Sequence, residues 1–125
     1  MRSSELGRAG EDLVAEYYIR QGYQILARNF IPPTGKQIGE LDLIARKDGQ
    51  IVFVEVKTRT GTKFGGPFEA VTRDKQIRLV KASKFYLKFN PQYEGLSARI
   101  DVAAVDVDNL VDPVIIIPNA IEDFD

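Results

Sequence analysis

Residues 38 to 59 read Ile38-Gly39-Glu40-Leu41-Asp42-Leu43-Ile44-Ala45-Arg46-Lys47-Asp48-Gly49-Gln50-Ile51-Val52-Phe53-Val54-Glu55-Val56-Lys57-Thr58-Arg59. Two alternating runs flank Asp48-Gly49, a dipeptide suited to a two-residue hairpin turn because both residues tolerate positive φ. With these two at the turn, Lys47 faces Gln50, Asp42 faces Glu55 and Glu40 faces Lys57. Opposed residues share one sheet face, with Cβ atoms roughly 4.5 to 5.5 Å apart, so Glu40, Asp42, Glu55 and Lys57 converge. The alternate positions, Leu41, Leu43, Ala45, Val52, Val54 and Val56, hold no polar group. Their face is therefore predicted to be the core side.

Upstream, Ser3 or Ser4 can cap a helix with Leu6, Leu13, Tyr17 and Ile19 near helical spacing and Gly22 at its end. Residues 23–30 read as a strand, which Pro32-Pro33 cannot continue. Downstream, a loop with Gly61, Gly65, Gly66 and Pro67 leads to a second helix that Thr72 opens and that runs to about Phe89. Residues 99–107 resume as a strand, and 114–117 form a last short one before Pro118. Strand, helix, strand is the form of a right-handed parallel crossover. The order predicts one α/β domain over residues 1–125, a mixed sheet flanked by helices.

With 125 residues the chain has room for a single core. It contains no cysteine and no histidine, which excludes disulfide frameworks, thiolate or imidazole zinc sites and histidine-dependent triads. Carboxylates and lysines must carry any chemistry. The first residues lack the apolar stretch of a secretory signal, and no apolar run approaches a membrane span, so a cytoplasmic protein without membrane association is expected. All 17 Lys and Arg lie at or before Arg99, while 7 of the 18 acidic residues lie from Asp101 onward. A near-neutral net charge thus leaves room for a local polyanion-binding surface.

Carboxylates gathered at Glu40, Asp42 and Glu55 repel one another unless a cation neutralises them or one takes up a proton. Oxygen-only donors suit Mg²⁺ or Mn²⁺. Asp42 and Glu55 are the expected ligands, joined by the Val56 carbonyl if the strand edge opens there. Lys57 would then orient a water or offset developing charge, a layout suited to phosphodiester hydrolysis. The plainer reading is a solvated face of an amphipathic hairpin with Glu40 and Lys57 as a cross-strand pair. Against it stands the direct opposition of Asp42 and Glu55, which a purely structural hairpin would avoid.

These segments, together with Gly10-Glu11, Phe64-Gly65-Gly66, Ala70-Val71-Thr72, Lys75-Gln76, Arg99-Ile100-Asp101-Val102 and Pro118-Asn119-Ala120, carry a resemblance. The chain resembles the YraN-type family of uncharacterised bacterial proteins, which is similar to archaeal Holliday-junction resolvases and the PD-(D/E)XK nuclease superfamily. The resemblance implies a restriction-endonuclease-like α-β-β-β-α-β core with a short extra C-terminal strand. It also implies metal ligands at Asp42 and Glu55, a catalytic lysine at Lys57 and an auxiliary acid at Glu11. Where the family commonly has a basic residue after its Arg-Asn-aromatic segment, this chain has Arg28-Asn29-Phe30-Ile31 and a Pro-Pro loop, leaving only Lys36 for that charge. Resolvase-like proteins commonly work as two-fold dimers, so a homodimer is a further expectation.

On the second helix Lys75, Arg78, Lys81, Lys84 and Lys88 recur at steps of three or four residues, which predicts a cationic ridge beside packing positions among Ile77, Val80, Ala82, Phe85 and Leu87. Joined to Arg59, Lys63 and Arg73, the ridge can track phosphates, or it can be a solvated face only. Gln76 either reads a base edge or caps local geometry. The expected activity is Mg²⁺- or Mn²⁺-dependent endonuclease action on DNA, with branched or distorted substrates implied by the resemblance. The alternatives are a non-catalytic nucleic-acid-binding module of the same fold and a structural adaptor that uses the acidic segment from Asp106 to Asp125.

Overall fold

A computed structural model describes residues 3–33, 39–59 and 71–121. Helix α1 (Ser3–Arg20) is followed by strands β1 (Gln24–Phe30), β2 (Leu41–Lys47) and β3 (Gln50–Arg59), helix α2 (Arg73–Lys88), a short 3₁₀ turn (Pro91–Tyr93), and strands β4 (Ser97–Asp106) and β5 (Val114–Ile117). The five strands form one sheet in the order β1-β2-β3-β4-β5. Only β3 and β4 are parallel, joined by the crossover that contains α2. This is the expected α-β-β-β-α-β core with its extra C-terminal strand.

The hairpin register is the one that the turn dictates: Lys47 pairs with Gln50, Ala45 with Val52 and Leu43 with Val54. Asp48 carries the left-handed conformation, with φ 51°. The expectation of one core face is corrected. Both faces of the central strands are buried, one under α1 through Val14 and Tyr18 against Leu43, Val52 and Val54. The other lies under α2 through Leu79, Ala82 and Tyr86 against Ile44, Phe53 and Ile100. Apolar residues at alternate positions were only half of the pattern, because a crossover helix covers the second face and makes β3 apolar on both sides.

The helices pack through some of the positions read from spacing, Leu13 and Tyr17 of α1 and Val80, Ala82 and Leu87 of α2, and through further ones beside them. In α1, Val14, Ala15 and Tyr18 are buried, whereas Ile19 is 56% exposed. In α2 the buried positions are Leu79, Ala82, Ser83 and Tyr86, and Ile77 faces solvent. Thr72 caps α2 as expected, its hydroxyl accepting from the Lys75 N–H at 3.2 Å. Tyr18 is buried edge-to-face between Tyr17 and Tyr23, so these rings belong to packing. Among the described residues no helix is long and apolar enough to cross a membrane.

Candidate active site

The β2–β3 ladder runs only as far as Leu43 and Val54. One residue further, the Asp42 carboxylate has turned into the ladder and accepts the Val56 N–H at 2.7 Å. A strand residue directs its N–H and C=O to the same edge, so the Val56 carbonyl also faces the opened side. Asp42 and Glu55 lie together there, 9% and 5% exposed. Burial, then a hydrogen bond shared with Glu55 and the Glu55 charge, push Asp42 up to about 7, against the pull of the Val56 N–H and Lys75. At neutral pH the pair therefore readily holds a proton between its two carboxyl groups.

Two lysines face the pair. Lys75 Nζ, from the first turn of α2, lies 3.2 Å from Glu55 Oε2. Burial alone would lower the Lys75 pKa, but the Glu55 carboxylate outweighs it and the value is raised. Lys57 lies beside Lys75, and its pKa is lowered, by burial first and by the neighbouring Lys75 charge, against the pull of Glu55. The Glu55 Oε2 atom is buried and its contact with Lys75 lacks hydrogen-bond geometry, so no hydrogen bond satisfies it.

Glu11 arrives from α1. Gly10 lets that helix touch β3: a Cβ at this position would lie 1.9 Å from Thr58 Oγ1. The next residue, Glu11, is brought within electrostatic reach of Asp42, and its pKa is raised by partial burial and by that charge. Asn29, itself at φ 54°, hydrogen-bonds the Glu11 side chain, and Arg28 holds Asp12 at 2.6 Å and Glu11 at 4.0 Å. Glu40 is exposed before β2 and senses Asp42, Glu11 and Lys75. The Glu40–Lys57 pair of the plainer reading is not among the ion pairs of the described residues, and β2 begins only at Leu41.

The structure thus brings together Glu11, Asp42, Glu55, Val56 and Lys57, with Glu40 at the margin. It adds Lys75 to the site, which spacing placed only on the cationic ridge; no sequence signal reveals it without knowing where α2 crosses the sheet. The Gln76 amide donates to the Val71 carbonyl at 3.2 Å, and the residue also lines a groove beside α2. The ridge is not one stripe. Arg73, Lys81 and Lys84 border a groove against Ala120 and Ile121, Lys75 turns to the carboxylates, and Arg78 packs its backbone against Gly39. Arg59 lies at the end of β3. Lys36, Lys63, the glycine loop and residues 122–125 lie outside the described residues.

Among the described residues no three acidic side chains form a group that could hold a metal by themselves. Mg²⁺ does not require such a group: one or two carboxylates, with waters and substrate phosphate, are its usual protein ligands. Asp42, Glu55 and the Val56 carbonyl are all hard oxygen donors, and the buried, hydrogen-bond-deficient Glu55 Oε2 lies among them. The donor set fits a hard divalent cation.

A mixed α/β fold with a buried carboxylate pair and two lysines at a sheet opening defines a small α/β protein with a charged cluster at the edge of its central strands. The chain matches the Uncharacterised protein family UPF0102 over residues 10–105 and belongs to that family. It is 53% identical over 89 residues to a UPF0102 protein of Syntrophomonas wolfei, covering 71% of this chain and 74% of that one. It is 39% identical over 122 residues to a UPF0102 protein of Caldicellulosiruptor saccharolyticus, covering 96% and 99%. A UPF0102 protein of Chloroherpeton thalassium is 43% identical over 102 residues, covering 82% and 75%.

Proposed function

We propose that this protein is a metal-dependent endonuclease that hydrolyses DNA phosphodiesters, with Mg²⁺ or Mn²⁺ held by Asp42, Glu55 and the Val56 carbonyl. The observation that carries the reading is the buried Asp42–Glu55 pair, in which burial first and then the Glu55 contact raise Asp42, and whose Glu55 Oε2 lacks a hydrogen bond. A structural role would be served better by apolar residues, since burying like charges destabilises a fold. When bound, such a cation supplies Lewis acidity towards a phosphoryl oxygen and lowers the pKa of coordinated water.

The side chains have separable tasks. Asp42 and Glu55 give up their shared proton and fix the site's negative charge. Lys57, whose pKa is lowered first by burial, is suited to orient a water or offset developing charge. Lys75 stays charged and holds Glu55 in place. Glu11, supported by Asn29, adds a carboxylate at the rim. Arg59, Lys63, Arg73, Lys75, Arg78, Lys81 and Lys84 provide the cations for phosphate contacts. A cytoplasmic setting belongs to the same reading.

The test is incubation of purified protein with labelled duplex, flap and four-way DNA in Mg²⁺ or Mn²⁺, beside Asp42→Asn and Lys57→Ala. Cleavage by the unaltered protein alone is the expected result, and no cleavage above the two variants on any substrate removes the enzymatic reading. One observation favours a second reading, a non-catalytic nucleic-acid-binding module: Lys75 already neutralises Glu55 in part. Binding that weakens with salt but ignores divalent cations and Asp42→Asn would support it.

A further inference from the structure

A groove of about 460 Å³ runs beside α2, between that helix and the segment that follows β5. Its lining combines apolar Ile77, Val80 and Ile121 with cationic Arg73, Lys81 and Lys84, and no Asp or Glu lines it among the described residues. Ile77 is 41% exposed, an aliphatic side chain left facing solvent among cations. We propose that the groove holds an unpaired stretch of nucleic-acid strand, its phosphates on Arg73, Lys81 and Lys84 and a base face on Ile77 and Val80. The inference rests on the nucleic-acid reading above and narrows its substrate class to nucleic acid with a single-stranded segment.

Three features favour that occupant. Among the described residues the lining charge is of one sign, complementary to a polyanion. The apolar lining adds nothing to a paired duplex, whose base faces are hidden in its own stack, whereas an unpaired base has a free face to bury. From Arg73 to Lys84 the helix extends ~16 Å at ~1.5 Å per residue, about five nucleotides at ~3.4 Å each, within the site sizes of single-strand binders.

The experiment is fluorescence anisotropy in EDTA, where nothing is cleaved, with a labelled oligothymidylate and a labelled duplex of equal length. The single strand is expected to bind about tenfold more tightly than the duplex. Ile77→Asp should weaken the single strand about tenfold with little effect on the duplex, a loss of the size of one base contact. Ile77→Phe should retain or tighten single-strand binding, and Lys81→Ala with Lys84→Ala should flatten the salt dependence for both probes. Circular dichroism melting confirms that each variant is folded.

Equal binding of the two probes, or single-strand binding indifferent to Ile77→Asp, overturns the proposal. So does an acidic peptide with one apolar side chain that binds the groove while the oligothymidylate does not, which would mark a protein partner instead. Asp42→Asn should keep the single-strand preference. If the preference holds but no substrate is ever cleaved, the nuclease reading fails and the groove assignment stands. Cleavage without the preference leaves the nuclease reading in place and removes the groove assignment.

Discussion

Lys75 Nζ lies 3.2 Å from Glu55 Oε2, an ion pair that joins the first turn of α2 to the middle of β3. Its two ends differ: the lysine side chain is 40% exposed, the glutamate 6%. Removing the lysine therefore exposes the fold to an uncompensated buried carboxylate, while the lysine itself could return to water. Lys75→Ala is expected to lower metal-free stability by about 1–2 kcal/mol, below the ~3–5 kcal/mol of a fully buried pair because one partner is solvated. Mn²⁺ should recover more of the melting temperature in this variant than in the unaltered protein, since the cation replaces the lost charge. Melting curves in EDTA and in Mn²⁺ check both statements, and an unchanged curve in EDTA would mean that the pair holds nothing together.

Asp42 leads to a prediction of opposite sign. Its carboxyl titrates at about 7 in the folded chain against 3.8 ordinarily, so between those values the folded state binds more protons than the unfolded state. The stabilising contribution is complete below about pH 4 and is lost as pH rises through about 7. Asp42→Asn keeps an oxygen for the Val56 N–H and removes the charge. In EDTA at about pH 8 the variant should be more stable than the unaltered protein by about 1–3 kcal/mol, and the advantage should vanish near pH 4. Mn²⁺ affinity of the unaltered protein, measured by titration calorimetry, should rise with pH through about 7 as the ion displaces the shared proton. A less stable Asp42→Asn at every pH would show that the carboxylate is not penalised by burial.

The hairpin was legible because a two-residue turn and a period of two leave one register, and that register alone brought Asp42 and Glu55 together. What it hid was the second buried face. Ile44, Ile51 and Phe53 fall on the same face as Asp42 and Glu55, and a strand buried on both sides loses the contrast on which alternation depends. Lys75 stayed on the ridge in the sequence reading because α2 reaches the sheet through a crossover whose landing point no local pattern encodes. Ile77, expected to pack, faces solvent because α2 buries the Leu79, Ala82, Ser83 and Tyr86 stripe instead. The Val56 carbonyl was named on the condition that the strand edge opens, and Asp42 opens it by taking the Val56 N–H.

Gly10 tests how Glu11 is positioned. An alanine Cβ there would meet Thr58 Oγ1 at 1.9 Å and Thr58 Cβ at 2.9 Å, both in the strand that carries Glu55 and Lys57. Either α1 moves away from β3 or Thr58 leaves its rotamer. Gly10→Ala is expected to destabilise the protein by about 1–3 kcal/mol despite the better helix propensity of alanine. Thr58→Gly in the same chain should recover most of the loss and Thr58→Ala only part, because the Cβ contact persists. Chemical denaturation of the three variants measures the recovery, and additive effects of Gly10→Ala and Thr58→Gly would show that the two residues do not touch.

Asp101 supplies a buried carboxylate of the contrary kind, shielded from solvent yet satisfied on every side. It accepts from the Tyr18 hydroxyl at 2.7 Å, Arg99 Nε at 2.9 Å and the Asn119 N–H at 2.9 Å. The three donors come from α1, from β4 itself and from the turn after β5, so one carboxylate ties the first helix to the last strand. Burial first, and then the Asp101 charge and hydrogen bond, raise the Tyr18 pKa against the pull of Arg99, keeping its hydroxyl a donor. Tyr18→Phe should cost about 1–3 kcal/mol by leaving an acceptor lone pair unmet, and Arg99→Met about 3 kcal/mol by leaving the charge unneutralised. Asp101→Asn combined with Tyr18→Phe should cost less than the sum of the single changes, because once the carboxylate is gone the hydroxyl has a weaker partner to lose. Strict additivity in that double-mutant cycle would mean that Tyr18 contributes through its ring packing against Tyr17 and Tyr23, with the 2.7 Å hydrogen bond adding nothing.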